Sequence, residues 1–151
     1  MIKNSNVLAT LLSAAVALFP VVAAAQPTAT CAMSGPASVV RGQPFTVDVD
    51  VTNGGTAAGY APAVEVFLPA NLSFVSASSL GQALTTLANT TTSPFVSPLT
   101  GETVQGPASA RYVVLRLPLN QIGAGAPARR LTLTLNSSTT STLDAPLAVN
   151  A

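Results

Sequence analysis

The chain has 151 residues, of which 7% are charged and 48% hydrophobic, and its formal net charge is +1. A typical soluble protein carries roughly 25% charged residues, but disorder requires low hydrophobicity as well, so this composition predicts a packed domain with an uncharged Thr/Ser/Asn surface. The chain contains no His, no Trp, one Cys (Cys31) and one Lys (Lys3), which removes the usual general base, the commonest zinc ligand, an internal disulfide and, beyond Lys3, all Schiff-base and Lys–Asn isopeptide chemistry.

Lys3 supplies a short positive n-region, Val7 to Phe19 an apolar h-region, and Pro20 breaks it before Ala23-Ala24-Ala25. This order predicts a secretory signal peptide over 1–25, with Ala23 and Ala25 at the two small-residue positions read by signal peptidase and Gln26 as the new N-terminus. Val7 to Ala25 approaches the ~20 residues that span a bilayer, yet Pro20 interrupts it and the cleavage motif ends it, so no stable membrane span is expected after cleavage. The expected location is secreted, periplasmic or on the cell surface. Thr28-Ala29-Thr30-Cys31 lacks the Leu-Ala-Gly-type box of a lipoprotein.

Residues 26–40 read as a lead-in, with a turn at Gly35-Pro36 and an edge strand predicted over Ala37–Val40. The turn Arg41-Gly42-Gln43-Pro44 then opens the clearest segment, Phe45 to Thr52, in which every odd position is apolar and every even one polar. That period of two places Phe45, Val47, Val49 and Val51 on one buried face of a strand. Asn53-Gly54-Gly55 ends it as a turn in which glycine admits positive φ, and Thr56 to Pro62 is a small-residue loop. Ala63 to Leu68 is a second strand with Val64, Val66 and Leu68 on one face, and Leu72 to Ala77 a third. Ser78 to Pro107 is punctuated by prolines, and short strands are expected near Leu84–Leu87 and Glu102–Val104. Ala110 to Leu117 alternates again with Val113, Leu115 and Leu117 inward. Pro118 to Ala128 is a loop, Arg130 to Leu135 a strand with three leucines on one face, and Leu143 to Val149 a candidate last strand. About seven short strands with no helical period predict an all-β antiparallel sandwich over 41–151.

The run from Gly42 to Asn53-Gly54-Gly55, followed by Val64-Glu65-Val66-Phe67-Leu68-Pro69-Ala70-Asn71-Leu72-Ser73-Phe74-Val75, resembles the DUF11 family of bacterial and archaeal surface proteins. That family pattern runs Gly, alternating strand, Asn-x-Gly, second strand, then Leu-Pro-x-x-Leu-x-Phe-Val. Tyr112–Leu117, Leu119 to Gly125 and Leu131–Leu135 follow its ending loosely, so the resemblance covers Val40 to Leu135. Val66-Phe67 stands where Asp-x is common in the family. The resemblance implies an immunoglobulin-like β-sandwich on an exported or wall-attached protein, without a conserved active site.

Asp48 and Asp50 leave the same outward face of one strand, and with Glu65 on a neighbouring strand they are a candidate oxygen-rich set for a calcium ion. A solvated sheet face that discourages edge-to-edge aggregation is the competing reading and the expected one. Asn53 is expected to bond the backbone of its own turn. Arg129-Arg130 is read as a solvated strand end or a rim contact to an anionic partner. Tyr60 is expected in a loop, and Phe67 faces away from Val64 and Val66, either toward solvent or against a second layer. Cys31 would be unpaired in an oxidising compartment, buried as a small apolar residue or joined to another chain. Beyond Lys3, five arginines balance five acids, so no basic stripe exists for nucleic acid. The 151 residues hold no sortase-type motif and no second hydrophobic segment, so the expectation is release, docking onto another surface component, or a longer protein that these residues open. The chain is therefore expected to be a non-enzymatic structural or adhesive module with no cofactor and no metal, partnered by surface proteins or glycans. A loop-based binding module, using Thr56–Pro62 and Ser78–Pro107, is the second reading.

Overall fold

A computed structural model describes residues 24–139. Of the signal peptide expected over 1–25, residues 1–23 lie outside the described residues, as does the strand expected over Leu143–Val149. The described chain is all-β, with antiparallel strands β1 (Ala29–Ser34), β2 (Pro44–Asn53), β3 (Gly59–Tyr60), β4 (Ala63–Leu68), β5 (Leu72–Ser79), β6 (Gln82–Ala83), β7 (Thr85–Thr90), β8 (Phe95–Val96), β9 (Thr103–Val104), β10 (Arg111–Arg116), β11 (Gln121–Ile122) and β12 (Arg129–Ser137). One sheet has the order β1-β2-β12-β5-β6 and a second the order β4-β10-β7, while β3-β11 and β8-β9 form two short ribbons.

The alternating segments do what their period dictates. Val47, Val49 and Val51 from β2, Leu131, Leu133 and Leu135 from β12, and Leu72 and Ala77 from β5 meet Val64, Val66 and Leu68 from β4 and Val113 and Leu115 from β10 in one buried cluster. Strand side chains point alternately to opposite faces, so this single apolar layer fastens the two sheets together in a sandwich-like arrangement. β12 is the central strand of the larger sheet, pairing Leu133 with Val47 on one side and Ala77 on the other.

β10 departs from simple alternation. Tyr112 and Val114 are buried as completely as Val113 and Leu115, because the outer face of the second sheet is also covered. The segment carrying β8 and β9 folds across it, and Phe95, Ala110, Tyr112 and Val114 form a second small core with Phe67, Leu87 and Val104. Phe67 stacks on Tyr112 with ring centroids 5.0 Å apart and meets Phe95 edge-on at 5.5 Å, the offset and T-shaped geometries that aromatic quadrupoles favour. Gly106 closes this layer, since a Cβ there would lie 2.3 Å from the Phe67 ring.

The edge strand lies at Ala29–Ser34 rather than at Ala37–Val40, which has no regular structure and is exposed. A β-branched pair, Val39-Val40, has strand propensity, but the ladder to β2 is made by the residues before Gly35. The weakly patterned stretch after Ser78 holds β7 and β9 close to the expected places, together with β6 and β8, which have no sequence signature. The expected loops Thr56–Pro62 and Pro118–Ala128 pair with each other through β3 and β11, where Gly59 faces Ile122 and Tyr60 faces Gln121.

Leu133 is fully enclosed between the two sheets. Leu133→Ala is expected to lower the unfolding free energy by about 2–5 kcal/mol through lost transfer energy and a residual cavity, read by urea denaturation with an unchanged slope.

Candidate functional site

Asn53 closes β2 and is 95% buried, and all of its side-chain polar capacity is engaged. Its Oδ1 accepts hydrogen bonds from Thr28 N and Gly55 N, both at 3.0 Å. Its Nδ2 donates to Ala57 O at 2.7 Å and to Ile122 O at 3.0 Å, and its backbone O accepts from Gly125 N at 3.0 Å. The residue expected to bond its own turn therefore does so and also joins the lead-in before β1, the loop after β2 and β11. Gly55 is required here by close approach rather than by positive φ, because a Cβ would stand 2.2 Å from Gln26 O and 2.5 Å from Thr28 N. The lead-in is bonded in the same place, with Gln26 O accepting from Thr56 N and Ala57 N.

The three acids considered for a metal separate. Asp48 and Asp50 lie on the outer face of the larger sheet, where Arg130 Nε and Nη2 donate to Asp50 Oδ1 and Oδ2, both at 2.8 Å. Thr132 Oγ1 donates to Asp48 Oδ1 at 2.7 Å, and Arg130 Nη1 lies 3.9 Å from Asp48 Oδ2. The hydrogen-bonded Arg130 guanidinium holds the Asp50 carboxyl below its ordinary 3.8, and Asp50 in turn raises Arg130. Arg130 is thus a cross-strand partner, whereas Arg129 is half-buried with no hydrogen-bond partner for its Nε. Glu65 sits on the other sheet, on the outer face beside Phe67, and accepts from Ser97 Oγ at 2.6 Å. Among the described residues no group of three His, Cys, Asp or Glu converges as a metal site.

The Tyr112 hydroxyl is buried beside Glu65 and Ser97 without hydrogen-bond geometry to either. Burial, reinforced by the Glu65 carboxylate, pushes its pKa up to about 12. Cys31 is an exposed free thiol on β1, and partial burial pushes its pKa up, so it remains a thiol near neutral pH.

Shallow surface clefts of about 330–350 Å³ lie among the described residues, three of them beside arginines. One lies between Ala61, Thr85, Arg116 and Asn120, next to Tyr60 in sequence; one lies between Leu80, Gly81, Arg129 and Arg130; the third lies between Asn71, Arg111 and Asn136. Each carries at least one arginine and none carries a carboxylate. Of the six aromatic residues described, Tyr60 is 76% exposed, while the others pack into one of the two cores. The second core is what sequence reasoning missed: Phe95, Ala110 and Val104 lie in Pro/Ser/Thr-rich sequence, and only the double-sided apolar run Tyr112-Val113-Val114-Leu115 signalled a strand covered on both faces.

Asn53→Asp keeps the acceptor for Thr28 and Gly55 but turns an oxygen toward the carbonyls of Ala57 and Ile122. The expected loss is on the order of 3 kcal/mol, measured by denaturant unfolding, with amide exchange accelerated first at Thr28 and Gly55. The folded-state pKa of Asp50 is depressed, so its contribution is present above 3.8 and is lost as pH falls through the lower folded value. Asp50→Asn should therefore flatten that part of the acid limb of a stability–pH curve and leave the curve's shape at neutral pH unchanged. Compared with known proteins, the chain matches no family model and no curated sequence.

Proposed function

We propose that the chain is an exported, non-enzymatic structural or adhesive module of the bacterial cell surface or extracellular matrix, with an immunoglobulin-like sandwich of the DUF11 type. The observation that carries this reading is where the polar chemistry goes. Asp48 and Asp50 are occupied by Arg130 and Thr132, Glu65 by Ser97, and Asn53 by four backbone groups. These groups hold strands together, and no pair of them faces a common cleft in the way acid–base catalysis requires. The n-region, h-region and Ala23-x-Ala25 order supports export with Gln26 as the mature N-terminus.

A binding role through loops is the second reading, favoured by the exposure of Tyr60 on β3, one residue before Ala61 in the cleft that also holds Arg116 and Asn120. An exposed aromatic ring suits contact with a glycan or a protein surface.

Expression of the full chain in a bacterial host with periplasmic and medium fractions collected tests the first reading. The expected product starts at Gln26 by intact mass and lies outside the cytoplasm, and an intact Met1 form retained in the cytoplasm would overturn it. Surface adhesion of beads coated with the protein, compared with Tyr60→Ala, separates the two roles. A loss of about tenfold or more in affinity places the contact at Tyr60, and unchanged adhesion favours the structural reading.

A further inference from the structure

β1 is the outermost strand of the larger sheet. Its ladder to β2 is unbroken from Ala29↔Asn53 to Ser34↔Asp48, and it contains no charge, no proline and no bulge. Edge strands are ordinarily blunted by one of those devices, because their free N–H and C=O groups template further pairing. Thr28 N donates to Asn53 Oδ1 and Gly54 N donates to Thr28 O, so Thr28 turns both backbone groups toward β2. Strand alternation then turns the N–H and C=O of Ala29, Cys31 and Met33 toward the open edge. The same three residues share the inner face with Val49 and Val51, which are 0% and 3% exposed, yet β1 is exposed along its whole length and Met33 is 39% exposed. β1 thus overhangs the second sheet with both a backbone edge and an apolar face open among the described residues.

We propose that β1 pairs antiparallel with β1 of a second copy of this chain about a two-fold axis through Cys31, extending the larger sheet across the dimer. This rests on the export reading only for the covalent step described below. Charge selects the occupant. A strand with no charged residue meets its own copy without like-charge repulsion, and the nearest acids, Asp48 and Asp50, are already engaged by Arg130 and Thr132 on the outer face. In this register Ala29 faces Met33 of the other copy, Thr30 faces Ala32, and Cys31 faces Cys31. Large opposes small on the inner face, and the interface is isologous, so it closes as a dimer instead of growing. A directly opposed, hydrogen-bonded pair has Cα atoms ~5.5 Å apart, within the ~5.5–6 Å favoured by disulfides.

An oxidised small-molecule disulfide locks the pair in two exchange steps. One Cys31 thiolate attacks a sulfur of the reagent and expels one small thiol, leaving a mixed disulfide. The second copy's Cys31 thiolate then attacks the protein sulfur of that mixed disulfide and expels the other small thiol. Two protein thiols are oxidised to one disulfide, and one reagent disulfide is reduced to two thiols.

The test uses the full-length chain, purified in whichever processed form accumulates, with its N-terminus read by mass. Sedimentation velocity under excess reductant should show a concentration-dependent dimer for the wild type and for Cys31→Ser. Met33→Pro removes an edge N–H that β2 does not use and should be monomeric at an unchanged circular-dichroism spectrum. Cys31→Lys and Cys31→Asp, should the proline variant unfold, are expected to be monomeric alone and to dimerise when mixed. With oxidised glutathione, wild-type crosslinking should exceed that of the double variant Cys31→Ser, Ser76→Cys by at least about tenfold, the effect of a raised effective concentration. A wild type that stays monomeric under reductant, a Met33→Pro or Lys variant that dimerises like the wild type, or equal crosslinking in the two cysteine placements would overturn the proposal. Because the non-covalent dimer is read under reductant, its absence is distinct from a failure of export.

Discussion

The hydrogen bonds of Asn53 are the constraint on which the arrangement depends. The buried end of β2 must satisfy backbone groups from the lead-in, from its own following turn and from β11, and a side-chain amide supplies two acceptor and two donor directions at once. The partners are correctly matched: the oxygen receives Thr28 and Gly55, and the nitrogen serves Ala57 and Ile122. Gly55 exists to let the Gln26–Thr28 backbone come close. With those segments fixed, β1 is delivered in register onto β2, and the β3–β11 ribbon is held over the end of the main core that contains Ile122.

The two cores then divide the labour of stability. The inner layer of valines and leucines joins the sheets by non-directional burial, which is tolerant of detail and worth the most per residue. The outer layer around Phe67, Phe95 and Tyr112 depends on ring geometry and on the absence of a side chain at Gly106. It converts a Thr/Ser/Pro-rich segment with little apolar content of its own into a covering for the second sheet. Beneath it, Ser97 and Glu65 bond one another, and Ser97 Oγ also accepts from Leu99 N, which shapes the turn between β8 and β9.

The legible parts of the fold were those buried on one face only. In β2 and β12 one side of the strand meets the core and the other meets water, so apolar and polar residues alternate and the strand bounds follow closely; β4 alternates through Val64, Val66 and Leu68, while its Phe67 joins the second core. β10 carries the same alternation in Val113 and Leu115, but Tyr112 and Val114 are apolar too, and their covering comes from other segments of the chain, Phe95 and Val104 among them. β1 was displaced from its expected place because a strand exposed on both faces has no burial pattern to print into its residues, and Val39-Val40 offered a stronger propensity than Ala29–Ser34. The local turn role of Asn53 was readable from Asn-Gly-Gly. Its reach to Thr28 and Ile122 was not, since both contacts are long-range and fall on main-chain atoms that any residue would supply. The acids were readable as an outward pair, while the choice of Arg130 as partner over a metal followed from the register between β12 and β2.

β12 is the last strand of the described chain and also the middle strand of its larger sheet, bonded on one side to β2 and on the other to β5. A chain delivered N-terminus first therefore offers β2 and β5 with a gap between them until Arg129–Ser137 arrives. No shorter N-terminal piece can join those strands into one sheet, and the loops that must close are long, which makes the final assembly slow compared with local turn formation. Vectorial delivery, N-terminus first, accordingly handles an open chain until β12 has emerged, and the larger sheet closes in a single late step.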